Sequence, residues 1–127
     1  MKTSELTGAA LDWAVASAEG AEWSVWRFKQ RHTDDEMNYS TDWSQGGPII
    51  EREKVELSAY SDCWEARYWE GRAAALRGLP PDMAASTLRA RKIPLSVARV
   101  GPTPLVAAMR CYVASRLGED VNIPEGL

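Results

Sequence analysis

Histidine is almost missing from this chain of 127 residues, with His32 the only one. A single imidazole disfavours His-centred proton shuttling and excludes a His-rich metal cage. Cysteine is nearly as scarce: Cys63 and Cys111 are too few and too far apart for a CxxC redox pair or a zinc knuckle, so a reducing cytosol is the expected setting. No window approaches the roughly 18 uninterrupted apolar residues of a membrane helix. Met1 to Leu6 lacks the basic segment and apolar run of a signal peptide, and Asp12 and Glu19 break up the residues after it. A soluble, intracellular protein with no membrane association is expected. Catalytic signatures are absent as well. There is no Gly-x-Ser-x-Gly elbow, no Gly-Lys-Ser/Thr phosphate loop, no His-Glu-x-x-His and no calcium loop, so neither catalytic residues nor metal ligands nor a cofactor are expected.

The chain does have a globular composition, 45% hydrophobic and 26% charged, enough for one domain over 1–127. Six Trp stand against a single Phe. That aromatic supply is generous for so small a core and allows a homo-oligomer. The formal charge of −3 hides a dipolar chain. Residues 1–70 hold 7 basic against 14 acidic side chains, residues 71–117 hold 8 against Asp82 alone, and the tail adds three acids. The basic part is Arg72, Arg77, Arg89, Arg91, Lys92, Arg99, Arg110 and Arg116. Arginine suits bidentate phosphate or carboxylate contacts, although folding could equally set the two halves against each other and neutralise them.

The pattern predicts a first helix capped by Ser4 or Thr7, with Leu11, Ala14, Val15 and Ala18 on one stripe and Gly20 as its stop. Glu22 to Lys29, aromatic and β-branched, reads as a strand. Gln30 to Gly47 reads as a long polar loop, with Pro48 opening one or two helical turns. Val55–Tyr60 and Cys63–Trp69 alternate as an antiparallel hairpin turning near Ser61-Asp62. Gly71–Arg77 and Pro81–Arg91 read as helical, and Ile93–Val100 fits a short strand or coil. The last helix is the clearest element, with Thr103 as N-cap, Pro104 at N1, a broad apolar face to Leu117 and Gly118 as its stop. Val121 to Pro124 is expected to pack back as an extended segment. The fold class is therefore α+β: a small, mostly antiparallel sheet packed by N-terminal and C-terminal helices.

Two glycine-bearing turns that each feed a helix carry the strongest binding signals. In Val100-Gly101-Pro102-Thr103-Pro104, first-turn amides and the helix dipole favour an anion, with Arg99 and Arg110 flanking in sequence. Tyr39-Ser40-Thr41-Asp42-Trp43-Ser44-Gln45-Gly46-Gly47-Pro48 offers short polar side chains and a stacking face. The bland alternatives are a plain capped helix for the first and a loop that buries Trp43 for the second. Trp13, Trp23, Trp26 and Trp69 are expected in the core or an oligomer contact. His32 beside Thr33-Asp34-Asp35-Glu36 is read as a solvated acidic loop rather than a metal cluster.

Those turns, together with Met1–Gly8, Leu11–Ala16, Glu19-Gly20, Tyr39–Glu51 and Gly101–Ser115, resemble the NinX-like phage and prophage proteins over about half the chain. The resemblance implies a temperate-phage origin, a bacterial cytoplasmic setting and a small accessory role. It brings no catalytic residues. In that family the stretch between the Trp64 strand and the Gly101 turn is often shorter, which marks 71–100 as a family-variable, specialised basic segment.

The expectation is thus a non-enzymatic protein that counteracts a bacterial defence. Its site would be Tyr39, Thr41, Asp42, Trp43, Gly46, Gly47, Trp64, Gly101, Thr103 and Arg110, sequestering a small anionic nucleotide-like signal. Trp43 or Trp64 would stack on the base, and Arg110 with the amides after Gly101 would hold phosphate. The rival is a direct protein–protein inhibitor of a host defence complex, anti-CRISPR-like, gripping its partner with Arg89, Arg91, Lys92 and Arg99. A phosphodiesterase ranks third and would need metal-dependent turnover lost on Asp42→Asn. Direct nucleic-acid binding is not expected at a sequence pI near 5.2 without a helix-turn-helix.

Overall fold

A computed structural model describes residues 1–20, 24–70, 95–125 and 127. After a 3₁₀ turn at Thr3–Glu5 come α1 (Gly8–Ala18), α2 (Val25–Thr33), α3 (Trp43–Glu53), β1 (Glu56–Ala59), β2 (Trp64–Glu70), β3 (Leu95–Gly101) and α4 (Pro104–Leu117). The strands form an antiparallel sheet in the order β1-β2-β3, so the fold is α+β as the sequence predicts.

α4 is the centre of the molecule. Its start is written in Thr103, whose Oγ accepts from the Val106 N–H at 3.1 Å, and in Pro104, whose missing N–H costs nothing at N1. The helix packs against all three strands, α1 and α3. Residues Leu105 and Ala107 to Ala114 are therefore buried nearly all round, which a merely amphipathic helix would not be. α1 covers α4 from the side away from the sheet with Leu11, Ala14 and Val15, all fully buried. Gly20, at φ 85°, lies just past the helix in the left-handed region, as expected of a stop.

The hairpin is also as predicted. Tyr60 N–H donates to the Cys63 carbonyl at 2.9 Å across Ser61-Asp62, and the register pairs Ala59 with Trp64. Period-2 alternation puts Ala66 fully buried on the inner face, with Trp64 and Tyr68 packed partly buried against the same core. Ile93–Val100 resolves into strand from Leu95 onward, with Ala66 opposite Arg99 and Tyr68 opposite Val97. Val121 is buried, and its N–H donates to the Met1 carbonyl at 2.9 Å, so the tail does pack back against the N-terminus.

Three expectations are corrected. The run read as a strand over 22–29 is helical from Val25, because Ser24 acts as an N-cap, its hydroxyl accepting from Arg27 N–H at 3.2 Å. Phe28 then turns inward and Trp26 outward, a helical and not an alternating division. The long loop over 30–47 shrinks to 34–42, since α2 runs to Thr33 and Asp42 starts α3. Pro48 sits inside α3 rather than at its start. Trp26 is 67% exposed and Trp13 half-buried, so the former is no core residue. The helices expected over 71–91, and Trp23, lie outside the described residues, as does the Trp69 side chain. Among the described residues no helix is long and apolar enough to cross a membrane.

Candidate functional site

Asp42 organises the first of the two turns. Its Oδ1 accepts from the Ser44 N–H at 2.9 Å and the Ser44 hydroxyl at 2.7 Å, and its Oδ2 accepts from Gln45 Nε2 at 3.1 Å. The Ser44 hydrogen bonds hold the Asp42 carboxyl below its ordinary range. Gln45 ties the preceding loop to the helix by accepting from Asn38 N–H at 2.6 Å and donating to the Asp35 carbonyl at 2.8 Å. The segment is thus a capped helix start, and its own carboxylate occupies the positive end of α3.

Gly46 explains how the two turns meet. A Cβ there would lie 2.4 Å from the Tyr39 carbonyl oxygen and 2.7 Å from Leu105 Cδ2, so only hydrogen lets the first turns of α3 and α4 touch. Gly101 does the same between β3 and α4, where a Cβ would lie 2.7 Å from Ala107 N. Trp64 stands opposite Gly101 in the strand register and packs half-buried on the core. Around this junction Thr41, Pro102 and Thr103 are exposed and Gly47 is half-buried. Trp43 leaves 52% of its surface in solvent. Tyr39 is half-buried, and its phenol is pushed up first by burial and then by Glu19 and Asp12.

Arg110 and Arg99 are committed to backbone carbonyls and to Thr3. Arg110 is buried at 9% exposure, its Nε donating to the Leu6 carbonyl and one terminal nitrogen to the Val100 carbonyl, both at 2.8 Å. It ties the N-terminal segment to β3, and both of these hydrogen bonds go to backbone carbonyls. Arg99 likewise points inward, to Thr3 Oγ1 at 3.0 Å and the Ala98 carbonyl at 2.6 Å. Arg89, Arg91 and Lys92 lie outside the described residues.

The sequence reading missed a polar cluster beneath α2. Asp12, 1% exposed, accepts from Ser40 N–H at 2.9 Å and pairs with His32 Nε2 at 2.9 Å. Phe28 stacks on His32 with centroids 5.6 Å apart, and Trp13 meets Phe28 edge-on at 5.3 Å. The Ser40 hydroxyl is buried there without a hydrogen-bond partner. The signal was available, since a carboxylate next to Leu11 inside an apolar stripe must find donors once buried. Asp34, Asp35 and Glu36 are exposed, and among the described residues no three His, Cys, Asp or Glu side chains are grouped to hold a metal.

No curated protein matches the chain. A family model described as bacteriophage P22 NinX matches residues 2–116, which takes in both turns, the sheet and nearly all of α4. The chain therefore belongs to the phage P22 NinX family.

Proposed function

We propose that the protein is a phage accessory factor in the cytoplasm of the bacterial host that counteracts a defence system by binding without turnover, through direct contact with a defence protein. The observation that carries this reading is Trp43, half in solvent at the rim of a rigid junction between two helix starts. Tryptophan anchors of this kind dominate binding energy at protein interfaces. The inward turn of Arg110 and the carboxylate of Asp42 at the α3 start both weigh against a phosphate cradle at this place.

The test is plaquing of a defence-sensitive phage on strains carrying single, defined defence systems, with and without the protein. Protection of the phage should appear on one system and be lost with Trp43→Ala, while the variant keeps its fold by circular dichroism. Unchanged protection by Trp43→Ala, or none on any system, would sink the proposal. Charge reversal at Arg89, Arg91 and Lys92 asks separately whether the basic segment grips the same partner. A second reading, sequestration of a nucleotide signal, draws support from the meeting of the two turns at Gly46 and Leu105. Calorimetric titration against a panel of cyclic nucleotides decides it, heat of binding being required.

A further inference from the structure

The outward face of α2 carries two hollows, and Trp43 lines neither of them. Phe28 and His32 fix the inner side of the helix, so Trp26, Gln30 and Thr33 point the opposite way. Trp26 leaves 67% of its surface exposed, more than any other tryptophan described. Arg27 is next to it in sequence and Lys29 lies one turn on, both exposed. The ring borders a hollow of about 400 Å³ shared with Lys29, Gln30, Thr33 and Asp34. A second hollow of about 370 Å³ against the same ring is lined by Arg27, Gln30 and Arg31, with Asp34 and Glu36 at its far end.

Charge along this helix is graded. The N-terminal half carries Arg27 and Lys29 and the positive end of the helix dipole. The far end carries Asp34, Asp35 and Glu36, and Arg31 turns to Glu36 there. An anion is drawn to the half that holds the exposed indole. A flat π-face with cations on both flanks is the arrangement that takes an unpaired base and the phosphates beside it. Duplex recognition would need an element fit for a groove, and this short helix has its inner side committed to the core.

We propose that the outer face of α2 binds single-stranded nucleic acid, one base stacking on Trp26 and the adjoining phosphates lying against Arg27 and Lys29. The polar ends of Gln30 and Thr33 border the stacked base. Sequence preference is weak, because stacking accepts any base. The phosphate contacts make binding sensitive to salt.

The full-length protein is titrated into a fluorescein-labelled oligothymidylate of about twelve nucleotides. Anisotropy is read from about 50 to about 200 mM salt. Saturable binding is expected, with a log–log salt slope near −1.4 for two phosphates on a single strand. Trp26→Ala should weaken it roughly tenfold or more. Lys29→Glu should weaken it and flatten the slope, whereas Trp43→Ala should bind as wild type does. All three side chains are exposed, so their loss spares the fold. Absence of saturable binding at the lowest salt overturns the proposal. So does undiminished binding by Trp26→Ala, or equal affinity for the matching duplex. An acidic protein as the true occupant of this face would show itself by the first of these outcomes. Because Trp43 lines neither hollow, failure here leaves the proposed defence role standing.

Discussion

Asp12 shows how a single residue decides local architecture. Its carboxylate joins α1, α2 and the loop before α3, through His32 and the Ser40 amide. Replacing it with alanine strands a buried amide and releases the ring, a loss of about 2–3 kcal/mol for unsatisfied buried groups. Asp12→Asn keeps an acceptor for Ser40 and should lose less. Urea unfolding of the two variants checks both the size and the order. Cys111 makes the opposite case, a reactive group made inert. Burial pushes its thiol up to about 12, and its Sγ donates to the Val97 carbonyl at 3.3 Å. Cys63, at the hairpin turn, is raised too, first by desolvation and then by Asp62. At pH near 8 a thiol reagent should therefore label Cys63 slowly in the native protein and Cys111 only as fast as the chain unfolds. Mass spectrometry of pulsed samples, with and without urea, reads the two sites apart.

Among the elements, α3 separates two neighbouring glycines that look alike in sequence. Gly46 is held against Tyr39 and Leu105, so Gly46→Ala must push backbone apart and should cost roughly 1–3 kcal/mol. Apart from its chain neighbours, a Cβ at Gly47 would meet Trp43 Cε3 at an ordinary 3.7 Å, and the crowding of a helical Cβ by the following Pro48 offsets the gain in helix propensity, so Gly47→Ala should change stability by less than about 1 kcal/mol. Equal midpoints for the two variants in urea would refute this division. The same helix shows where sequence reading stops. α4 and the β1-β2 hairpin were legible because cap, proline, stop and alternation agree at every position. In α3 the Gly-Gly-Pro run argues for a loop, and only the Asp42 cap, with packing on α4, overrides it. In α2 the spacing of Trp23, Val25 and Arg27 imitates a strand, while the deciding Ser24 cap is one hydrogen bond. The candidate site was half legible for the same reason. Trp43, Thr41 and Thr103 are exposed as read, but which way Arg110 points depends on carbonyls 104 residues and 10 residues away.

At the scale of the whole molecule, the acidic and basic halves of the chain do meet, through a network that closes the far ends of α1, α3 and α4. Arg52 bonds Glu19 at 2.9 Å and Glu53 at 3.3 Å, Arg116 bonds Glu53, and both guanidinium groups lie over the Tyr112 ring within 5.7 Å. Burial alone would raise the Glu53 carboxyl, but Arg116 and then Arg52 outweigh it and hold it below its ordinary 4.5. A carboxylate depressed in the folded state contributes stability that is fully present above the unfolded value. It is lost as pH falls through the folded one, because the unfolded chain binds the proton first. The share of stability that comes from Glu53 should thus be level above pH 5 and decline below about 4.5. Glu53→Gln should be less stable than wild type at neutral pH and decline less steeply below that point. Asp42, also depressed, keeps part of the acid sensitivity in the variant. Urea midpoints measured between pH 7 and 3 in both proteins test this, and an identical slope below pH 5 would show that the closure of the three helix ends draws nothing from Glu53.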